Sequence, residues 1–153
     1  MDYIEYLRKM VGHSKVIMVV SGVFIFNEKG EVLLQRRSDN GEWGHPGGFM
    51  DMGESVEDTA RREIFEETGL HLGKLDFLGI YSGAEQERVL PNGDEVALVK
   101  IMFTCHDFEG TLEAKDSESL ELKFFPLDQL PDYWENQKHA FHDLLSKNAR
   151  LSY

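Results

Sequence analysis

Residues 48–70 combine a glycine-containing loop with a helix-forming segment that is rich in carboxylates. Within it, Glu63, Glu66 and Glu67 are three and four residues apart, so a helix places them on one face. Their mutual repulsion disfavours this arrangement unless a cation or solvent intervenes. A divalent metal ion is the natural cation, because carboxylate oxygens are its preferred ligands. The segment therefore predicts a metal site beside a glycine loop, a combination that suggests phosphate chemistry.

Both ends of the helix that must position these acids are marked in the sequence. Ser55 is suited to cap the N-terminus with Asp58 as its capping-box partner, and Gly69 provides the C-terminal stop. Apolar residues recur at every fourth position from Val56 to Ile64, and we expect this stripe to face a sheet. The acids then lie on a different face.

The chain before this helix predicts one further helix and two strands. Apolar residues from Tyr3 to Met10 have helical spacing, which indicates a short amphipathic helix that ends near Gly12. The β-branched and apolar segment 15–26 is typical of a buried strand, and 31–37 is a second strand. A turn at 28–30 separates the two strands, so we expect them to form a hairpin.

The chain after this helix predicts strands over 72–81, 95–108 and 120–125, and a closing helix over 135–147. The Asn92-Gly93 turn favours a hairpin between the first two of these strands. Strands and helices interleave without strict alternation. We therefore expect an α/β fold with a mixed β-sheet between helices on both faces.

Length and charge bound the class of protein. A chain of 153 residues fits one domain, with residues 1–14 as an N-terminal helical extension. The net charge of −12 argues against a protein that coats nucleic acid or a membrane surface, because both are anionic. It does not exclude a small anionic substrate, since a metal ion inverts the local field.

Cysteine content and hydropathy indicate the compartment. Cys105 is the only cysteine, which rules out an internal disulfide and fits a reducing compartment. The first ten residues lack the unbroken apolar run of a secretory signal. No window approaches the roughly twenty apolar residues of a membrane span. We therefore expect a cytoplasmic protein that does not enter a membrane.

Segment 48–70 reads Gly48, five residues, Glu54, seven residues, Arg62-Glu63-Ile64, one residue, Glu66-Glu67, one residue, Gly69-Leu70. This order of residues resembles the signature of the Nudix hydrolases, and we refer to the segment as the Nudix box. The strand at 33–37, the approach at 43–48 and the segment 124–131 are similar to MutT-like members of the family. The resemblance covers roughly residues 15–147.

The resemblance implies a Nudix-type α/β/α sandwich that hydrolyses a nucleoside diphosphate linked to another moiety, with Mg²⁺ or Mn²⁺ as cofactor. It implies that the metal ligands are the Gly48 carbonyl and the carboxylates of Glu63, Glu66 and Glu67. Arg62 is expected to orient Glu63 as an ion-pair partner. Glu54 is expected to hold a metal-bound water.

Three acids remain open as the general base. They are Glu54, Glu63 and an acid of the loop at 116–121, where Glu118 is the preferred candidate. A base of this kind contributes about 10²–10⁴ in rate.

The sequence is less informative about the substrate. Arg37 is expected to contact phosphate, and Phe49 and Tyr81 are candidates for contact with the rest of the substrate. The candidates are a nucleoside triphosphate, a nucleotide sugar, ADP-ribose bound at an atypical site, or a capped RNA end, and the negative charge disfavours long RNA. A nucleotide-binding sensor without turnover is the alternative, although the box retains its acids. The resemblance also slightly favours a homodimer.

Overall fold

The computed structural model describes residues 2–114 and 119–151. The helices are α1 (Tyr3–Val11), α2 (Val56–Thr68) and α3 (Lys138–Leu151), with 3₁₀ turns at Ala84–Gln86 and Glu135–Gln137. The strands are β1 (Val16–Ile25), β2 (Val32–Arg37), β3 (Trp43–Gly44), β4 (Gly47–Phe49), β5 (His71–Leu72), β6 (Asp76–Tyr81), β7 (Glu87–Val89), β8 (Glu95–Cys105), β9 (Phe108–Glu109) and β10 (Ser119–Phe125).

The main sheet has the strand order β4-β1-β8-β6, and β7 also pairs with β8. β1 and β8 are parallel along their whole shared length, whereas the pairs β1–β4, β6–β8 and β7–β8 are antiparallel. A smaller sheet has the order β10-β2-β3, and β5 pairs with β9. The mixed α/β architecture expected from the sequence is confirmed.

Alternate side chains of β1 enter two different layers, as the twofold periodicity of a strand requires. Val23 and Ile25 pack in a buried cluster with Ile64 of α2. Phe24, between them, packs on the opposite face with Phe141 of α3. The main sheet therefore lies between α2 on one face and α3 on the other.

The ends of α2 are those the sequence predicts. Asp58 N–H donates to Ser55 Oγ at 3.0 Å, and Ser55 N–H donates to Asp58 Oδ2 at 3.1 Å. Gly69 ends the helix in the left-handed conformation, with φ of 78°. The predicted stripe from Val56 to Ile64 faces the sheet, and Ile64 is fully buried.

The predicted hairpin of segments 15–26 and 31–37 is wrong. Phe26 and Val32 form a single bridge, after which β2 leaves to pair with β10 and β3. The reason is that β1 already has partners on both edges, β4 and β8. No edge of β1 remains for β2.

The Asn92-Gly93 turn does form a hairpin, but β7, not the predicted strand at 72–81, is the strand it connects to β8. The segment 72–81 is divided into β5, which pairs with β9, and β6, which pairs with β8. β6 still pairs with β8, on the neighbouring stretch.

Helix α1 packs on the same face of the main sheet as α3, at the other end of strands β1 and β8. Its residue Ile4 packs on a buried cluster that includes Met18 and Leu98. Arg8 fixes its C-terminal end, with Nη2 donating to the Glu95 carbonyl at 2.8 Å. In the part of the chain that the structure describes, no helix is long and apolar enough to cross a membrane.

Candidate active site

A cleft of about 570 Å³ opens beside the edge strand β4. Its walls come from α1, β4, the acidic face of α2, the middle of β8 and the 3₁₀ turn at Glu135–Gln137. Six residues of the predicted site line it: Arg37, Gly48, Phe49, Arg62, Glu63 and Glu66.

Arg62 connects the acids of the Nudix box. Its Nη1 donates to Glu63 Oε1 at 2.9 Å and lies 3.3 Å from Glu66 Oε2. Its Nε and Nη2 both reach the carboxylate of Glu54, at 2.5 and 2.9 Å. Nη2 also donates to the Phe49 carbonyl at 2.9 Å, which ties α2 to β4. One guanidinium thus offsets the repulsion among three carboxylates.

Glu54 is held as an anion by its surroundings. The hydrogen bond from Arg62 lowers the pKa of Glu54 to about 2, against the smaller opposing effect of burial. The Asp51 N–H and the Thr59 hydroxyl also donate to it, at 2.8 and 3.1 Å. A carboxylate with so low a pKa is a weak proton acceptor near neutral pH.

Glu67 and Gly48 join α2 to the glycine loop. Glu67 is 2% exposed, and its Oε2 accepts a hydrogen bond from Gly47 N–H at 3.0 Å. A Cβ atom on Gly48 would clash with the carboxyl group of Glu63. Glycine at position 48 therefore leaves room for this carboxylate against the loop. Ser21, paired with Gly48 on β1, donates from Oγ to the Val56 carbonyl and fixes the start of α2.

The residues present fit a hard divalent cation. Glu63, Glu66 and Glu67 offer carboxylate oxygens and Gly48 a carbonyl, the donor set that Mg²⁺ and Mn²⁺ prefer. Among the described residues, no three His, Cys, Asp or Glu side chains are already gathered in a metal-binding arrangement. Glu63 and Glu66 pair with Arg62, and Glu67 accepts a hydrogen bond from Gly47 N–H.

The structure separates the predicted substrate contacts. Arg37 and Phe49 line the cleft, and Arg37 forms a two-point ion pair with Asp39, both distances being 2.9 Å. Tyr81 is not among the lining residues: its hydroxyl donates to Asp143 Oδ2 at 2.6 Å, beside α3. Burial and this hydrogen bond raise the pKa of Tyr81. Glu118 lies outside the described residues.

Sequence reasoning missed the cations of β7 and β8. Lys100 lines the cleft and is only 3% exposed, and Arg88 lies beside Trp134, with its guanidinium 4.4 Å from the indole centroid. A signal for Lys100 was present, since it interrupts the buried apolar series that contains Leu98 and Met102. No comparable signal marked Arg88, because the sequence did not predict β7.

His45 borders the cleft but is almost completely buried. It is 4% exposed, and its Nδ1 lies 3.1 Å from the Pro46 carbonyl, which can only accept a hydrogen bond. Burial, and then the positive charge of Lys100, lowers the pKa of His45 well below its ordinary value. Its ring lies over Gly22, where an added Cβ would be 2.6 Å from Cε1.

Comparison with known proteins places this arrangement in a family. An ADP-ribose pyrophosphatase of Methanocaldococcus jannaschii is 36% identical over 110 residues, which are 70% of this chain and 61% of that protein. An oxidized purine nucleoside triphosphate hydrolase of Mus musculus is 34% identical over 117 residues, 75% of this chain and 70% of that protein. This chain therefore spans about three fifths of the archaeal relative's length.

Solved structures agree with the sequence comparison. The crystal structure of a MutT NUDIX hydrolase from Burkholderia pseudomallei superposes with a TM-score of 0.70 and 28% identity, over 84% of this chain and 98% of that one. The family model of the NUDIX domain matches residues 17–144, a span that contains the glycine loop, the acids of α2 and the strands around the cleft. The chain belongs to the Nudix family and resembles its MutT-like hydrolases.

Proposed function

We propose that the protein is a pyrophosphohydrolase that depends on Mg²⁺ or Mn²⁺ and cleaves a nucleoside diphosphate linked to another moiety. The observation that carries the proposal is the position of Glu63, which lines the cleft, faces Gly48 and pairs with Arg62. A metal-binding carboxylate in contact with a glycine loop suits a diphosphate, whose oxygens the metal shares.

The metal would be held by Gly48, Glu63, Glu66 and Glu67. When bound, it lowers the pKa of a water molecule and offsets negative charge on the diphosphate. Arg62 and Glu54 orient the acids: Glu54 holds Arg62 at two points, and Arg62 in turn holds Glu63. Outer partners of this kind typically contribute about 10–100-fold in activity or metal affinity.

The low pKa of Glu54 narrows the choice of general base. A base works best when its pKa is close to the operating pH, and Glu54 is far below it. Glu63 and the loop acid Glu118 remain the candidates. Cys105 is not a nucleophile in this scheme, because it is fully buried and burial raises the pKa of its thiol.

Two substrate classes follow from the relatives. The archaeal relative is named for ADP-ribose and the mouse relative for oxidized purine nucleoside triphosphates. Both are small nucleoside diphosphate derivatives, which also suits a chain with a net charge of −12 better than long nucleic acid does. The free buried thiol of Cys105 is consistent with a cytoplasmic location.

The test is hydrolysis of a substrate panel. The purified protein is incubated with ADP-ribose, a nucleotide sugar, dGTP and 8-oxo-dGTP, each with Mg²⁺, with Mn²⁺ and with a chelator. We expect at least one of these substrates to release a nucleoside monophosphate when the metal is present. The release is monitored by ³¹P NMR. If the protein binds members of the panel but hydrolyses none of them, the result would support a nucleotide-binding sensor and refute the proposed hydrolase activity.

A further inference from the structure

Three cationic side chains line one part of the cleft, and we refer to Lys100, Arg37 and Arg88 as the cationic subsite. The acids of α2 pack beside Gly48, whereas these cations come from β8, β2 and β7. The Nudix box does not account for any of them.

Lys100 is an anomaly in its strand. The alternate residues Val96, Leu98 and Met102 on the same face of β8 are all buried and apolar, being 0%, 4% and 0% exposed. Lys100 is 3% exposed, and burial of an ammonium group is unfavourable unless something compensates it. Within the described part of the chain, no carboxylate forms an ion pair with it and no acceptor takes a hydrogen bond from it. A buried, uncompensated cation that lines a cleft is available to a ligand.

The two arginines next to Lys100 add further positive charge, and they share a single carboxylate. Asp39 is the carboxylate shared by the two arginines, at 2.9 Å from Arg37 Nη2 and 3.6 Å from Arg88 Nη2. Asp39 therefore offsets part of the charge of the two arginines, and among the described residues Lys100 has no carboxylate partner. Burial, and then the charges of Arg88 and Arg37, lowers the pKa of Lys100 to about 8, so the ammonium still predominates at pH 7.

The two guanidinium groups are held in place before any ligand binds. Arg37 and Arg88 both lie over the indole of Trp134, with centroid distances of 4.9 and 4.4 Å. Cation–π contacts of this kind fix the planes of the two groups. The subsite is therefore pre-organised, which reduces the entropy lost when a ligand binds.

The register of the sheet separates the subsite from the metal acids. Phe49 pairs with Val20, and Val20 pairs with Lys100, so Lys100 and Phe49 are two strands apart, about 10 Å between Cα atoms. Lys100 shares the face of Val20 and Leu98, while the adjacent Gly48 faces Glu63 of α2. A diphosphate at Gly48 therefore leaves the subsite to another part of the same substrate.

We propose that Lys100, Arg37 and Arg88 form an anion subsite that selects substrates carrying an additional phosphate monoester, distinct from the diphosphate that is cleaved. Three cations and one carboxylate leave two positive charges, which match the dianion of a phosphate monoester. Arginine forks suit phosphate oxygens, and Lys100 adds a point charge beside them. This inference rests on the proposed function, since it names the substrate class of the same cleft.

The experiment measures binding without metal and without turnover, so that it is independent of catalysis. Isothermal titration calorimetry compares AMP with adenosine 2′,5′-bisphosphate and adenosine 3′,5′-bisphosphate, in a buffer that contains a chelator. We expect one bisphosphate to bind at least about tenfold more tightly than AMP, as a charge-assisted contact provides. The same comparison is made with Lys100→Met, Arg88→Gln and Lys29→Met.

Lys100→Met and Arg88→Gln should each remove most of the preference, whereas Lys29→Met, which removes a charge from an exposed turn, should retain it. Two substitutions on different strands guard against a variant that fails to fold. Equal binding of AMP and both bisphosphates by the wild-type protein would overturn the proposal, and so would a preference that survives in Lys100→Met. A preference without hydrolysis of any diphosphate would refute the proposed function and leave the subsite standing.

Discussion

Arg62 and Glu54 form a two-point ion pair, in which Nε lies 2.5 Å from Oε2 and Nη2 lies 2.9 Å from Oε1. The two residues are eight positions apart, one in the loop and the other in the second turn of α2. This pair anchors the guanidinium, whose remaining nitrogen holds Glu63. The loop and the helix are thereby fixed to each other through side chains.

Replacement of Arg62 by Met should weaken both the fold and the reaction. Three carboxylates lose their counter-charge, and we expect a loss of about 1–3 kcal/mol in the free energy of unfolding, since the group is partly exposed. We expect kcat to fall about 10–100-fold. Urea unfolding in chelator and steady-state kinetics measure the two effects. Arg36→Met, at an exposed strand position, is the control, and equal behaviour of the two variants would contradict the role given to Arg62.

Replacement of Glu67 by Gln should remove turnover and preserve the fold. The amide oxygen still accepts the hydrogen bond of Gly47 N–H, but the charge that a metal requires is gone. We expect a loss of activity on the order of 100-fold or more with little change in Tm. Glu57→Gln removes an exposed acid from the same helix and should leave the rate unchanged. Normal rates in Glu67→Gln would exclude metal ligation by this residue.

Replacement of Gly48 by Ala should act through Glu63. The added Cβ displaces the carboxyl group, which is the end of a flexible side chain, so the loss of stability should stay below about 1 kcal/mol. Activity should fall about 10–100-fold, because the displaced carboxylate is a metal ligand. The double variant with Glu63→Ala should lose no more than Glu63→Ala alone. Additive losses in kinetics would show that Gly48 acts independently of Glu63.

Replacement of Lys100 by Met should stabilise the protein, with a defined pH dependence. The pKa of Lys100 is about 8 in the folded protein and 10.5 in its ordinary range, so the folded state binds fewer protons between these values. The burial of Lys100 therefore lowers the free energy of unfolding, and this penalty has its full size below pH 8. The penalty disappears as the pH rises towards 10.5.

At pH 7 we expect Lys100→Met to be more stable by about 3 kcal/mol, since one pKa unit corresponds to about 1.4 kcal/mol. Urea unfolding from pH 7 to 10.5 should show this advantage shrinking. Removal of the exposed Lys29 is the control and should change the free energy of unfolding only slightly. A constant difference for Lys100→Met would contradict the titration assigned to it.

Local features were predictable from the sequence because their determinants are adjacent in the chain. The cap at Ser55, the stop at Gly69 and the inward stripe of α2 depend on contacts within a few residues. Strand partners depend on distant segments, so the turn at 28–30 suggested a hairpin although β4 and β8 occupy the edges of β1.

The same difference between local and distant determinants applies to the candidate site. The acids of the box follow from helical spacing, whereas the cationic subsite depends on the register of three strands. Lys100 was visible as a break in an apolar alternation, but its place beside the cleft required the pairing of Val20 with Phe49 on one side and Lys100 on the other. Tyr81 was near the box in sequence but lies beside α3.

The parallel pairing of β1 with β8 also has a consequence for the order of folding. Val16 pairs with Val96 and Ile25 with Cys105, so the two central strands are about 80 residues apart in the chain. During synthesis the entire Nudix box leaves the ribosome before β8 exists, and β1 has an unpaired inner edge until then. Contacts of such long range slow folding, because a large loop must close first. The acids and the glycine loop are made early, but the cleft that uses them is completed late.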